Sequence, residues 1–145
     1  MAAAKTAEKE ITPSEGRETL RRSSMMAHLL DSLEKGQDIG HYGRLVFAMI
    51  ARHFLPDEEL IRLLQQDKDF SEEQARLLVV QVKEKDYNPP RREKILEFQS
   101  QQDFPIIRNP EDPDEGNVYR DLEFPETVYE HISEYYEHKT AAKAE

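Results

Sequence analysis

A chain of 145 residues, 34% of them charged and with a mean hydropathy of -0.83, is long enough for one domain with a modest core. It contains no cysteine, which excludes disulfides, thiolate metal sites and cysteine nucleophiles together. The longest wholly apolar run, Leu45 to Ala51, is far short of a membrane span, and the first ten residues lack the apolar core of a secretory leader. A cytoplasmic protein with no membrane partner is therefore expected. The net charge of -10 is uneven: residues 95–145 carry thirteen acids against four bases, whereas residues 34–94 carry twelve against eleven. The nearly neutral middle can still present a basic face to phosphate, which a uniformly acidic chain would repel.

In chain order, residues 1–12 lack apolar periodicity and read as a disordered tail. Thr12-Pro13-Ser14-Glu15 has the capping-box spacing with proline at the first helical position. A helix is predicted to start there or after Gly16 and to run to Lys35, with Leu20, Met26, Leu29, Leu30 and Leu33 inward and Gly36 as its left-handed stop. A second helix is predicted from about Ile39 to Leu55. A third, with Pro56 at its first helical position, carries Leu60, Ile61, Leu63 and Leu64 and ends near Gln66. Ser71-Glu72-Glu73-Gln74 is a second capping box, opening a fourth helix with the stripe Ala75, Leu78, Val79 and Val82. Asn88-Pro89-Pro90 stops it, because a residue before proline avoids the α region, and a fifth helix is predicted from about Pro90 to Gln101. Pro105, Pro110, Pro113 and Gly116, with acids between them, predict a long loop from Phe104 to Phe124. A last helix starts near Pro125 with Val128, Tyr129, Ile132, Tyr135 and Tyr136, and the chain is expected to fray from Lys139. The reading is all-α: a compact bundle of about five or six helices over residues 13–138, with flexible ends at 1–12 and 139–145.

The second helix carries the most chemistry. At about 100° per residue, Tyr42, Val46, Phe47, Met49, Ile50 and Phe54 share one broad face. His41, Arg44, Ala48 and Arg52 share the opposite stripe. Two arginines and a histidine beside the small residues Gly40, Gly43 and Ala48 would suit a phosphate-bearing ligand. The plainer alternative is a solvated helix face with Arg52 paired to Asp57 or Glu58, and the stripe alone favours it. His53 is expected to be a satisfied histidine, buried or half-buried, and not a ligand. A second basic cluster, Arg91-Arg92-Glu93-Lys94, sits at a helix start, where cations are disfavoured; it implies a partner or nearby acids that offset the cost, with the neighbouring Asp86 as the candidate acid.

Taken in order, Ser23-Ser24-Met25, Gly36, His41-Tyr42-Gly43-Arg44, Asp57 to Gln66, Asp69-Phe70-Ser71-Glu72 and Tyr87-Asn88-Pro89-Pro90-Arg91-Arg92 resemble the C-terminal helical domain of archaeal and eukaryotic DNA primase large subunits, over residues 23–117. That family holds an iron–sulfur cluster with four cysteines. The resemblance puts Met25 and Arg92 at two of those positions, and Ile107 and Gly116 near the other two. Thiolates hold such clusters, so no cofactor is expected here. Side chains such as Met25 and Ile107 would fill the vacated volume, or Arg92 would pair with a loop acid, Asp112, Asp114 or Glu115. In primases the domain binds the template–primer junction and the 5′-triphosphate end; the resemblance carries this to His41 and Arg44, and to Arg91.

No phosphate-cradling glycine loop, zinc-protease motif or nucleophile–base signature is present, so no catalysis is expected. Two functions remain. One is a nucleic-acid-binding or primase-accessory-like module using His41, Arg44, Arg52 and Arg91, with DNA or RNA primer–template and a polymerase or primase catalytic subunit as partners. The other is an acidic protein–protein adaptor that kept the fold, with residues 103–137 facing a basic partner.

Overall fold

Helix α1 (Pro13–Leu20) begins at the predicted capping box. Thr12 Oγ1 accepts from the Glu15 N–H, and the Glu15 carboxylate accepts from the Thr12 N–H in return. The computed structural model of the protein describes residues 12–132, and every regular element among them is helical. The predicted tails at 1–11 and from Lys139, with Tyr135 and Tyr136, lie outside the described residues.

The first predicted helix is two. After α1 the chain turns at residues 21–23, and α2 (Ser24–Glu34) starts afresh with Ser23 Oγ accepting from the Met26 N–H. The cap satisfies a donor that would otherwise be orphaned in a buried place. The redirection allows Leu20, Met25, Met26, Leu29, Leu30 and Leu33 all to reach zero exposure. At the other end Gly36 takes φ 75°, with its N–H on the Leu33 carbonyl and the Gln37 N–H on that of Ser32. This paired closure needs a left-handed residue and is the stop predicted from the glycine.

Helix α3 (Gly40–Ala51) is the central element, packed against α2, α4 (Asp57–Leu64), α5 (Glu72–Glu84) and α6 (Arg92–Gln99). Val46, Phe47, Ala48, Ile50 and Ala51 are all fully buried, so the helix is covered on every side over its second half. Truncating Phe47 to alanine would remove a large ring from this position at a cost of about 3–5 kcal/mol. Helix α4 has Pro56 as its N-cap and three acids in its first turn, a favourable placement against the helix dipole. Helix α5 opens with the second predicted capping box, Ser71 with Gln74, and buries Ala75, Val79 and Val82. Lys83 late in α5 reaches Asp57 at the start of α4, so the pair runs antiparallel.

Helix α5 closes on Asp86, which takes the left-handed φ of 51° usually left to glycine or asparagine. Its N–H bonds the Lys83 carbonyl and the Tyr87 N–H bonds that of Val82. After α6, residues 100–117 contain turns and bends but no helix. Side chains tie this stretch to the body: Gln99 Oε1 accepts from the Ile107 N–H at 2.6 Å, and Gln102 donates to the Ile39 carbonyl while accepting from the Tyr42 N–H. The predicted loop to Phe124 is interrupted by a single-turn helix, α7 (Val118–Asp121), and residues 126–132 are again helical. Among the described residues no helix is long and apolar enough to cross a membrane.

Candidate nucleic-acid interface

The two arginines of the α3 stripe are not open to a ligand. Arg44 is 9% exposed and its Nη1 lies 3.0 Å from Asp67 Oδ2 and 3.2 Å from Asp38 Oδ1. Its guanidinium sits 4.4 Å from the centre of the Phe70 ring, and Nε finds no acceptor among the described residues. Asp67, almost wholly buried, also accepts from the N–H groups of Ile39 and Asp69, at 2.9 and 2.8 Å. Arg44 and Asp67 therefore join the start of α3 to the turn after α4. Ala48 is fully buried, so it leaves no approach between the arginines. Asp67 and Phe70 cover Arg44 near the start of this side of α3, and Asp86 and Tyr87 engage Arg52 at its end. That covering is a tertiary event with no periodic signature. Asp67 was not anticipated; its only local signal is an acid two residues before another, following a helix end.

Arg52 is also engaged, but not by Asp57 or Glu58, which pair with Lys83 and Arg76. Its side chain is 12% exposed and donates to Asp86 at 2.8 Å and to the Tyr87 carbonyl at 2.9 Å. Arg52 is the largest cause holding the Asp86 carboxyl below its usual range, and His131 sits 3.3 Å away on the same acid. His53 is half-buried, but it is not the satisfied side chain expected. Its Nε2 lacks a partner among the described residues, and burial, then the charge of Arg52, lowers its pKa to about 4.

His41 is exposed at the start of α3, edge-on to Tyr42. Tyr42 stacks on Phe98 late in α6, while Arg52 at the far end of α3 bonds Tyr87 just before α6. The two helices therefore run antiparallel, and His41 and Arg91 stand at opposite ends of the pair. The four predicted contact residues do not converge: two are buried in ion pairs, and the two exposed ones are separated by the length of a helix.

The start of α6 is where the sequence-derived positions meet. Pro89 and Pro90 are buried, Arg91 is the exposed N-cap, and Arg92 is half-buried. Arg92 donates to the carbonyls of Pro110, Asp112 and Glu115 over 2.5 to 3.0 Å. The expected acid partner is thus replaced by main-chain oxygens. Five donors in a fixed fork suit a loop that offers several carbonyls at once. This also explains a cation at a helix start: its charge is directed away from the helix, into the loop's acceptor groups.

Glu115, 7% exposed, turns inward and accepts from the N–H groups of Arg108 and Asn109, both at 2.9 Å. Asp112 bonds the Asp114 N–H, and Asp114 pairs with Arg120 at 2.7 Å. These acids hold the loop together. No group of three or more His, Asp or Glu among the described residues is arranged to take a metal ion.

Gly116 has φ +91°, and a Cβ there would stand 2.6 Å from Ile107 Cδ1 and 3.5 Å from Arg92 Cγ. Ile107 and Arg92 thus both pack against Gly116. Met25 is fully buried in α2, one turn before His28, whose Nε2 lies 2.8 Å from the Pro105 carbonyl and whose ring stacks on Phe104. Burial of His28, the main cause, lowers its pKa.

Beside this knot lies a cleft of about 530 Å³, whose lining includes Arg91, Arg92, Glu93, Asn117, Tyr119 and Tyr129. The Tyr119 hydroxyl donates to the Pro89 carbonyl at 2.5 Å, and the Tyr129 hydroxyl accepts from the Phe124 N–H, which fixes both rings. The ring centres are 6.5 Å apart. An exposed guanidinium, a helix N-terminus and two positioned aromatic rings are chemically suited to a phosphate attached to a base. Neither tyrosine was singled out for this: the sequence placed Tyr119 in a loop and Tyr129 on a core stripe. No protein-family model, no curated protein and no solved structure matches the chain significantly.

Proposed function

We propose that this chain is a non-catalytic, primase-accessory-like domain that binds the end of a nucleic acid without an iron–sulfur cluster, through the cleft at the start of α6. The observation that carries the reading is the packing of Arg92 and Ile107 around Gly116, since the primase resemblance puts Arg92 at one cluster-cysteine position and Ile107 and Gly116 near two others. Arg92 opens a helix and Ile107 and Gly116 lie nine residues apart in the following loop, so no helical periodicity brings them together. Their meeting supports a fold in which side chains and one arginine fork close the space that a cluster would occupy. Arg91 and the tyrosines Tyr119 and Tyr129 beside that knot are the groups assigned to the ligand; His41 is a separate, outer contact. Arg44 and Arg52 hold the fold and leave the contact set. A polymerase or primase catalytic subunit would supply the chemistry.

Fluorescence anisotropy with a labelled primer–template carrying a 5′ triphosphate tests this. Binding is expected to weaken as salt rises, and Arg91→Ala is expected to weaken it about tenfold and to flatten the salt dependence. A 5′-hydroxyl primer is the control. Absence of binding at low salt would discard the nucleic-acid reading in favour of the acidic adaptor, which the thirteen acids of residues 95–145 favour.

A further inference from the structure

The outer face of α5 carries two large apolar side chains that the fold leaves uncovered: Leu77 is 64% exposed and Val80 is 50% exposed. They lie three residues apart on the helix, so they form one ridge. Glu73 and Glu84 stand one turn before and after that ridge on the same side. Next to Val80 a groove of about 360 Å³ runs between α4 and α5 over Ile61 and Val79.

Charge around this ridge is predominantly negative. Asp57, Glu58, Glu72, Glu73 and Glu84 border the two hollows beside it, against Arg76 and Lys83. Both cations are already engaged: Arg76 makes a two-pronged pair with Glu58 and a further pair with Glu72, and Lys83 binds Asp57 at 2.6 Å. Glu73 and Glu84 make no ion pair among the described residues. The result is an apolar ridge and groove inside an acidic rim.

We propose that this face docks an amphipathic helix of a partner protein, one that presents apolar side chains at helical spacing flanked by lysine or arginine. The apolar groups fit the ridge and groove, and the flanking cations meet the unengaged carboxylates. A second copy of this chain is disfavoured, because two acidic rims on molecules of net charge -10 would face each other. The face lies on α5, whereas the proposed nucleic-acid cleft lies at the start of α6, and the inference does not depend on the nucleic-acid reading.

The test uses the full chain and two labelled synthetic helical peptides, each about 18 residues long, with one shared apolar stripe. One is flanked by lysines and the other by glutamates. The lysine-flanked peptide is expected to bind and to weaken with salt, and the glutamate-flanked one to bind at least about tenfold more weakly. The paired substitution Leu77→Ser and Val80→Ser is expected to weaken binding by about tenfold or more. Both sites are exposed, and circular dichroism verifies that the variant is folded. The pair Glu73→Lys and Glu84→Lys is expected to remove the preference for lysine flanks. Failure of the lysine-flanked peptide to bind, equal binding of both peptides, or indifference to the serine substitutions would overturn the proposal. So would self-association in sedimentation that the serine substitutions abolish, since it would assign the face to a second copy. Triphosphate-primer binding by the Leu77→Ser and Val80→Ser variant, expected to be unchanged, separates this result from that of the α6 cleft.

Discussion

Replacing Arg44 by alanine should damage the fold and leave the ligand site intact. Asp67 is almost wholly buried and would keep two backbone donors, Ile39 and Asp69, but lose its counter-charge. Removing one member of a buried pair costs about 3–5 kcal/mol. The two surviving N–H groups favour the lower half of that range, and loss of the guanidinium from the Phe70 ring adds up to about 1 kcal/mol. A loss of about 4 kcal/mol is a large part of the stability of one domain. It should lower the melting temperature by roughly 10 °C or more. Urea unfolding followed by circular dichroism gives the first figure and a thermal scan the second. The double variant Arg44→Met with Asp67→Leu removes both charges and should recover most of the loss, because apolar replacement of a buried pair is often neutral. At a temperature where Arg44→Ala is folded, its affinity for the triphosphate primer should equal that of the parent chain. An Arg44→Ala protein with an unchanged melting temperature and no primer binding would refute this reasoning and return Arg44 to the contact set.

Three further predictions concern acid, a glycine and the loop fork. His53 holds a proton less readily when folded, with a pKa of about 4, than the ordinary 6.5 of the unfolded chain. Acid therefore favours unfolding between those values, with a slope of at most about 1.4 kcal/mol per pH unit from this group. His53→Phe should make the fall of the urea midpoint across that window shallower, and an unchanged slope would show that His53 is not the group responsible. Gly116→Ala should cost about 2 kcal/mol or more, from the left-handed φ and the collision with Ile107. Ile107→Val should soften only the collision, so a double-mutant cycle by thermal unfolding should show coupling; simple additivity would contradict the contact. Arg92→Ala removes three donors to the 110–115 segment. Amide exchange in residues 108–116 should speed up selectively, and uniform change across the chain would count against a local tie.

Much of the helical layout follows from short-range rules. The two capping boxes at Thr12 and Ser71, the left-handed stop at Gly36 and the double proline before α6 act over a few residues, so their effect can be read from the chain. Inward stripes such as Leu60, Ile61, Leu63 and Leu64 follow equally from periodicity. The break at residues 21–23 was missed because an apolar stripe does not reveal a change of direction when both halves remain buried. The α3 stripe misled for a different cause. Periodicity separates polar from apolar sides, but it cannot say that Asp67 and Phe70 will cover the polar side. Arg92, Ile107 and Gly116 were brought together only through the primase resemblance, and the carbonyl partners of Arg92 depend on loop geometry that no local pattern encodes.

The left-handed residue that ends α5 has a consequence for which substitutions that turn accepts. Asp86 satisfies two demands at once: a backbone state that few side chains tolerate, and a carboxylate for Arg52 and His131. Glycine would ease the turn and strand a guanidinium whose side chain is 12% exposed. Asparagine would keep the turn without the charge, and glutamate would keep the charge while straining the turn. Three separate pieces of chain, the end of α3, the end of α5 and the helical stretch at 126–132, therefore hang on one short side chain, and loosening any of them uncovers the same half-hidden cation.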